Sequence, residues 1–349
     1  MHTLTRYLSL LFLTRNLMIS FGMVAILAVL DALSKGEILP LDADLKDHLW
    51  FMLLRAPLIF EQIFVFAFLL SLLVTYVTLI RRNELVSIVA GGLSAMRQIW
   101  ALVPAVLIAS VSYTVLIDQA APRAQQSLMT WIGPEAVIRD TASSNNLWVA
   151  DGSTLVRIKS VNEGGLVDLT IFEREGKGRL ASVNLAKAAQ PEGAGWRLTG
   201  VRQLRFDSKD ADPPELWSST LDSQMLRLLT LEPRYLSITD LWDLSKLRGA
   251  GNRSAKIYQM WIYNRLALPI SALGFMILTV FAMQRFGRDP RPEVALVVAM
   301  AAGFLYVIVD SLTKTLPEKT SVTAFTAAFA PLACLLVVCV ILAVRNARV

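Results

Sequence analysis

The sequence predicts an integral membrane α+β fold: six transmembrane helices, three before and three after an inserted antiparallel β domain. Three observations predict it. The 349 residues are 54% hydrophobic with a mean hydropathy of +0.51, above the usual apolar share of a soluble domain. The apolar residues collect in runs of about 20, the length a bilayer core requires. Between the third and fourth runs, short alternating segments and turn residues replace them.

The spans in order are Leu11–Leu33, Leu58–Ile80, Ile99–Ile117, Tyr258–Met283, Glu293–Leu312 and Val322–Val344. The uninterrupted core of the first, Leu17–Leu30, also has the length of a signal-peptide apolar region. The apolar pattern begins upstream at Leu8 and no clean small-x-small site follows, which favours a retained span. Short loops set the orientation. Arg6, Arg15, Arg81, Arg82, Arg97, Arg285, Arg288, Arg291, Arg345 and Arg348 fall on one side, against Glu84, Asp289 and Glu293. The opposite loop, Ser34–His48, carries Glu37, Asp42, Asp44 and Asp47 against Lys35 and Lys46. The positive-inside rule therefore puts both termini in the cytoplasm and the insert outside it.

The insert, Asp118 to about Ile257, contains "LWVA", "TLVRIKSV", "LVDLTIFERE", "RLASVNLAKAA" and "GWRLTGVRQLRFD". Turn residues separate them at Asp151–Gly152, Asn162–Gly165, Glu175–Gly178 and Pro191–Gly195. This reads as an antiparallel sandwich or open barrel of about 110 residues, with Trp196 and Phe206 in its core. Further on, "SITDLWDLSKLRGAG" reads as a helix capped by Ser237 or Thr239, stopped at Gly249–Gly251 and leading into span four.

Spans two and three are joined by "RRNELVSIVAGGLS". Asn83 stands as N-cap, Glu84 suits the positive end of a helix, and Gly91–Gly92 stops it. Leu85, Ile88 and Val89 at i, i+3, i+4 share one stripe. Such a helix is about 12 Å long, too short to span. It is either an interfacial turn resting on headgroups or a docking helix that would move two spans when pushed.

Charged residues in the spans also have two readings. Arg55 and Glu61, near the outer end of span two, either snorkel to the interface or reach anionic headgroups from a cavity rim. Asp310 in span five is either interfacial or functional. Tyr258, Trp261 and Tyr263 read as an outer aromatic belt. Cys334 and Cys339, five apart in the last run, read as small apolar filler. His2 and His48 are too scattered for a metal cluster. The chain has no G-x-x-x-x-G-K-[ST] loop and no nucleophile–base constellation. A non-catalytic protein without directly bound cofactor is expected.

At "RRNELVSIVAGGLS" the chain resembles the LptF/LptG permeases, the membrane subunits of the lipopolysaccharide exporter. "NLWVADGSTLVRIKSV", "GWRLTGV", "EPRYLSITDL" and "GFLYVIVDSL" are similar to further segments of that family, and together they favour its LptG branch over LptF. The resemblance implies a bacterial inner-membrane permease with a periplasmic β-jellyroll, divided as residues 1–122, 123–236 and 237–349, with 82–92 as the coupling segment. It implies Arg81, Arg82, Asn83, Glu84, Leu85, Ile88, Val89 and Gly91 as the ATPase-coupling helix, and Asp31, Arg55, Glu61 and Asp310 at a substrate cavity or gate. The partners it implies are an LptF-type permease, an LptB-type ATPase dimer that uses the ATP, an LptC-type bridge protein and lipopolysaccharide. Spans one and five would form a lateral gate. The chain departs from the family pattern at Val65, and at Ala28, one turn before Asp31, where some members carry a basic residue. The second departure weakens the case for a phosphate contact from span one. The rival class is a membrane-anchored assembly or sensing protein without transport.

Overall fold

The computed structural model describes residues 2–35, 39, 43–133, 146–151, 153–162, 165–175, 179–193, 195–206, 214–219, 222–247, 251–286, 292–319 and 322–347. The chain forms two compact units, Met1–Leu128 with Ile262–Val349, and Met129–Trp261. Residues 123–128 thus belong to the first unit and 237–261 to the second.

The first unit holds the long helices: α1 (His2–Ser34), α2 (Leu45–Arg81), the short α3 (Glu84–Ala90) and α4 (Ala95–Ile132, which runs on into the second unit). After the insert come α7 (Ala255–Phe286), α8 (Pro292–Lys319) and α9 (Ala324–Ala347). Among the described residues, six helices are long and apolar enough to cross a membrane. They follow the order of the expected spans but exceed them. α2 begins at Leu45 rather than Leu58 and is 37 residues long, about 55 Å. Asp44 and Asp47 explain the early start: the Asp44 N–H donates to the Asp47 carboxylate at 3.0 Å, an N-terminal cap. The acids of the loop between the first two spans therefore have a structural role that hydropathy does not register.

α2 lies at the centre of this unit. Phe68 meets Phe12 of α1 edge-on at 5.3 Å, Phe64 stacks on Tyr113 of α4 at 3.9 Å, and Phe66 tilts against Phe304 of α8 at 4.7 Å. In the most apolar window of α2 61% of residues are buried and in α7 67%, against 17% in both α1 and α8. Most of the apolar surface of α1 and α8 therefore needs lipid or another chain to cover it. Two glycines allow close helix packing: a Cβ on Gly303 of α8 would stand 2.5 Å from Leu69, and one on Gly274 of α7 2.7 Å from Leu335. Cys339 packs there too, buried with its Sγ 3.4 Å from the Gly274 carbonyl.

Among its described residues the second unit holds seven strands in one antiparallel sheet: β1 (Leu147–Asp151), β2 (Thr154–Asn162), β3 (Gly165–Glu175), β4 (Arg179–Glu192), β5 (Gly195–Thr199), β6 (Arg202–Arg205) and β7 (Leu216–Ser218). The order is β1-β2-β3-β4-β5-β7, with β6 also on β4. β4 is long enough to hold two partners on one edge: Ala188–Glu192 pairs β5 and Ser182–Leu185 pairs β6. Gly200, at φ +68°, makes the break between them. One face carries the core, with Val149, Val156, Ile158, Leu169, Ile171 and Ala186 all nearly fully buried. Trp196 joins it, stacked on Trp217 at 6.4 Å. Phe206 does not: with Leu204 it keeps to the opposite parity and is 67% exposed. Tyr258 also departs from the belt reading, because it is buried at the start of α7.

The sheet is followed by α5 (Ser223–Thr230), a 3-10 turn at Pro233–Tyr235 and α6 (Ile238–Lys246). Ser237 caps α6, its Oγ accepting from the Asp240 N–H at 3.2 Å while the Asp240 carboxylate accepts from the Ser237 N–H at 3.2 Å. α6 ends at Lys246, before the expected glycine stop; Gly249 is outside the described residues. Asn252 then clasps the edge of β1: its Oδ1 accepts from the Trp148 N–H at 2.8 Å and its Nδ2 donates to the Asn146 carbonyl at 2.7 Å.

Candidate functional site

α3 is built by its two ends. At the first, Asn83 holds φ 57°, a left-handed conformation that asparagine adopts more readily than most residues. The expected side-chain cap is not made; Asn83 turns the chain instead of capping it. At the second, the Gly91 N–H donates to Ser87 O at 2.9 Å, the Gly92 N–H to Val89 O at 2.9 Å and the Leu93 N–H to Ile88 O at 3.3 Å. Gly92 takes φ +77°, which makes this a left-handed stop.

The stripe divides on folding. Leu85 is buried and Ile88 half-buried, but Val89 is 46% and Val86 62% exposed. The single apolar face expected from i, i+3, i+4 spacing thus becomes an inward anchor and an outward apolar edge. Arg81 and Arg82 flank that edge, both exposed. Glu84 is half-buried, and its Oε2 accepts a 2.6 Å hydrogen bond from the Tyr7 hydroxyl of α1. Its Oε1 lies 3.9 Å from Arg82. Nothing in the sequence points to Tyr7, because 77 residues separate the partners.

Three of the charged residues singled out inside the long helices, Asp31, Arg55 and Asp310, have charged partners. Arg55 is only 8% exposed and does not snorkel: its Nε donates to Asp31 Oδ2 at 2.8 Å and its Nη2 to Oδ1 at 3.3 Å. Lys35 approaches the same carboxylate at 3.9 Å. The structure thus brings together two of the expected cavity or gate residues, Asp31 and Arg55. Glu61 is six residues further along α2, which places it on a different face from Arg55. Asp310 closes on Lys314 of its own helix at 2.6 Å.

A further pair escaped the sequence reading. Arg265 of α7 is 1% exposed, and its Nη1 donates to Asp118 of α4 at 2.7 Å. The available clue was an arginine inside an otherwise apolar span, which is costly unless an acid meets it. Removing one member of such a pair strands the other in a low-dielectric environment.

Six span-length helices divided three and three by an antiparallel sheet define a polytopic membrane protein with an inserted β domain. The family model described as lipopolysaccharide export system permease LptF/LptG matches residues 6–345, and the chain belongs to that family. It is 26% identical over 277 residues to the lipopolysaccharide export system permease protein LptG of Escherichia coli strain K12, an alignment covering 75% of each chain. It is 24% identical over 280 residues to the LptG of Haemophilus influenzae, covering 74% of this chain and 75% of that one.

Proposed function

We propose that the chain is the LptG-type permease subunit of an ATP-driven exporter that extracts lipopolysaccharide from the bacterial inner membrane and hands it to a periplasmic bridge. The observation that carries this reading is the family match from residue 6 to residue 345, which takes in both sets of helices and the sheet. The subunit is non-catalytic and binds no cofactor of its own; ATP is hydrolysed by a cytosolic LptB-type dimer. α3 is the docking element, with the exposed Val86 and Val89 edge and the Arg81 and Arg82 flank as its contact surface. The interfacial-turn reading accounts less well for a carboxylate tied to a third helix. The low burial of α1 and α8 supports a lateral gate at spans one and five and pairing with an LptF-type permease. An LptC-type protein receives the substrate.

Two measurements test this. Purified with both permeases, the ATPase and the bridge protein in liposomes, the chain should support ATP-dependent lipopolysaccharide release; a complex that forms without any ATPase returns the assembly or sensing reading. In intact cells, an impermeant thiol probe should label a cysteine at Asp151 but not one at Arg288, in a background lacking Cys334 and Cys339. Arg288 is outside the described residues. Labelling there would reverse the orientation.

A further inference from the structure

We propose that Tyr7 is a positioning residue for coupling: its hydrogen bond to Glu84 carries the displacement of α3 into α1. The inference rests on the docking role of α3 proposed above and goes beyond it.

α3 is covalently continuous with α2 on one side and, through Gly91–Ser94, with α4 on the other. A push on α3 reaches those two helices through the backbone. It reaches α1 only through contacts. The Tyr7–Glu84 bond is one that starts from α3 itself, at 2.6 Å. An ionised acceptor makes it a charge-assisted bond, stronger than a neutral one. α1 is otherwise held at this end by α2 and α4: Leu8 and Phe12 are buried at i, i+4, Phe12 sits edge-on to Phe68 at 5.3 Å, Arg15 Nη1 donates to the Val74 carbonyl at 2.9 Å, and Ser9 Oγ donates to the Ala101 carbonyl of α4 at 3.5 Å. Tyr7 stands beside this buried pair but is itself 41% exposed, so the hydroxyl contributes little packing. With 17% of its most apolar window buried, α1 leaves most of its apolar surface to lipid or another chain, so a displacement passed to it through Tyr7 changes that surface directly. The bond also leaves room for docking. A carboxylate has about four acceptor positions, and Tyr7 takes one, so the ATPase can engage Glu84 while Tyr7 stays bound.

The test uses Tyr7→Phe in the intact complex of both permeases, ATPase and bridge protein. The expected result is normal membrane abundance and ATPase recovery, sustained ATP hydrolysis, and about a fivefold or greater fall in lipopolysaccharide released per ATP, the lower range for coupled sites. Tyr7→Lys, which restores a donor toward Glu84, should recover most of the ratio; a purely structural tyrosine would not be rescued in this way. An unchanged ratio in Tyr7→Phe overturns the proposal. So does a loss of ATPase recovery, which would make Tyr7 part of docking, or a failure to accumulate, which would make it a fold residue. Failure of the underlying reading looks different: Glu84→Lys would keep full ATPase recovery and export, whatever Tyr7→Phe does.

Discussion

Two short helices, α3 and α6, begin on comparable local sequences and are held in opposite ways. α6 is nine residues long and satisfies its first turn internally, through the reciprocal bonds of Ser237 and Asp240. It buries Leu241 and Leu244 almost completely. α3 is seven residues long and has no side-chain cap from Asn83. Its acidic first residue turns to Tyr7 of another helix, and among its aliphatic residues only Leu85 is fully buried. A seven-residue helix in water is well below the length that sustains itself. α6 owes its place to its own cap and core contacts. α3 owes its place to the helices at its ends and to Tyr7, which suits the docking role proposed for it.

The largest effect expected from this contrast is at Glu84. Glu84→Lys costs α3 the helix-dipole benefit of about 0.3–1 kcal/mol and the hydrogen bond from Tyr7 but leaves the packing of the long helices untouched, so membrane abundance and pairing with the second permease should persist. If, as the proposed docking requires, the carboxylate meets a basic group in an ATPase groove, the reversed charge costs several kcal/mol. At about 1.4 kcal/mol per tenfold, ATPase recovery should then fall by orders of magnitude, and export with it. Retained recovery would leave α3 an interfacial turn.

Next in size is the division of the stripe. Leu85→Asp buries an unpaired carboxylate at a 6% exposed position. It should lower the amount of folded protein by any assay of membrane abundance. Val86→Asp and Val89→Asp alter exposed positions and should spare abundance while weakening ATPase recovery. Equal behaviour of all three would mean that α3 has a single buried face after all.

The caps come third, read by hydrogen exchange of the α3 and α6 amides in the intact protein. Ser237→Ala should cost α6 about 1 kcal/mol and Ser237→Gly only a few tenths. At Asn83 the demand is for a left-handed residue: Asn83→Gly should be tolerated, whereas Asn83→Val should cost about 1–2 kcal/mol. If Asn83→Gly is the harmful change, a side-chain cap is present in solution.

The smallest effect lies outside both helices, at the exposed ion pair of Glu192 and Arg197. The hydrogen-bonding Arg197 guanidinium holds the Glu192 carboxyl below its ordinary pKa. A depressed carboxyl pKa contributes stability above the unfolded value and loses it as pH falls through the folded one. Arg197→Ala should therefore slightly loosen the β4–β5 hairpin end at neutral pH and make no difference in strong acid, as read by exchange corrected for its intrinsic pH dependence. A full-size effect would be out of line with a solvated pair.

The number of spans and their order, the strands β1 to β6, their turns and the Ser237 cap are all written in local patterns, whereas the three-residue β7 carries no such pattern. Each depends on residues within about a turn or a hairpin of one another, and the chain cannot avoid them: apolar runs must leave water, and alternating segments must pair. The likeness at "RRNELVSIVAGGLS" was legible for the same reason, as one continuous stretch. The partners of the charges were not. Tyr7 with Glu84, Asp31 with Arg55, and Asp118 with Arg265 are 77, 24 and 147 residues apart. Periodicity could place Leu85, Ile88 and Val89 on one side of a helix, but it could not say which of them would meet α2 and which would meet solvent. That choice depends on how helices distant in sequence pack, where the cost of a buried unpaired charge and the exclusion of overlapping side chains select one arrangement that no short window of sequence contains.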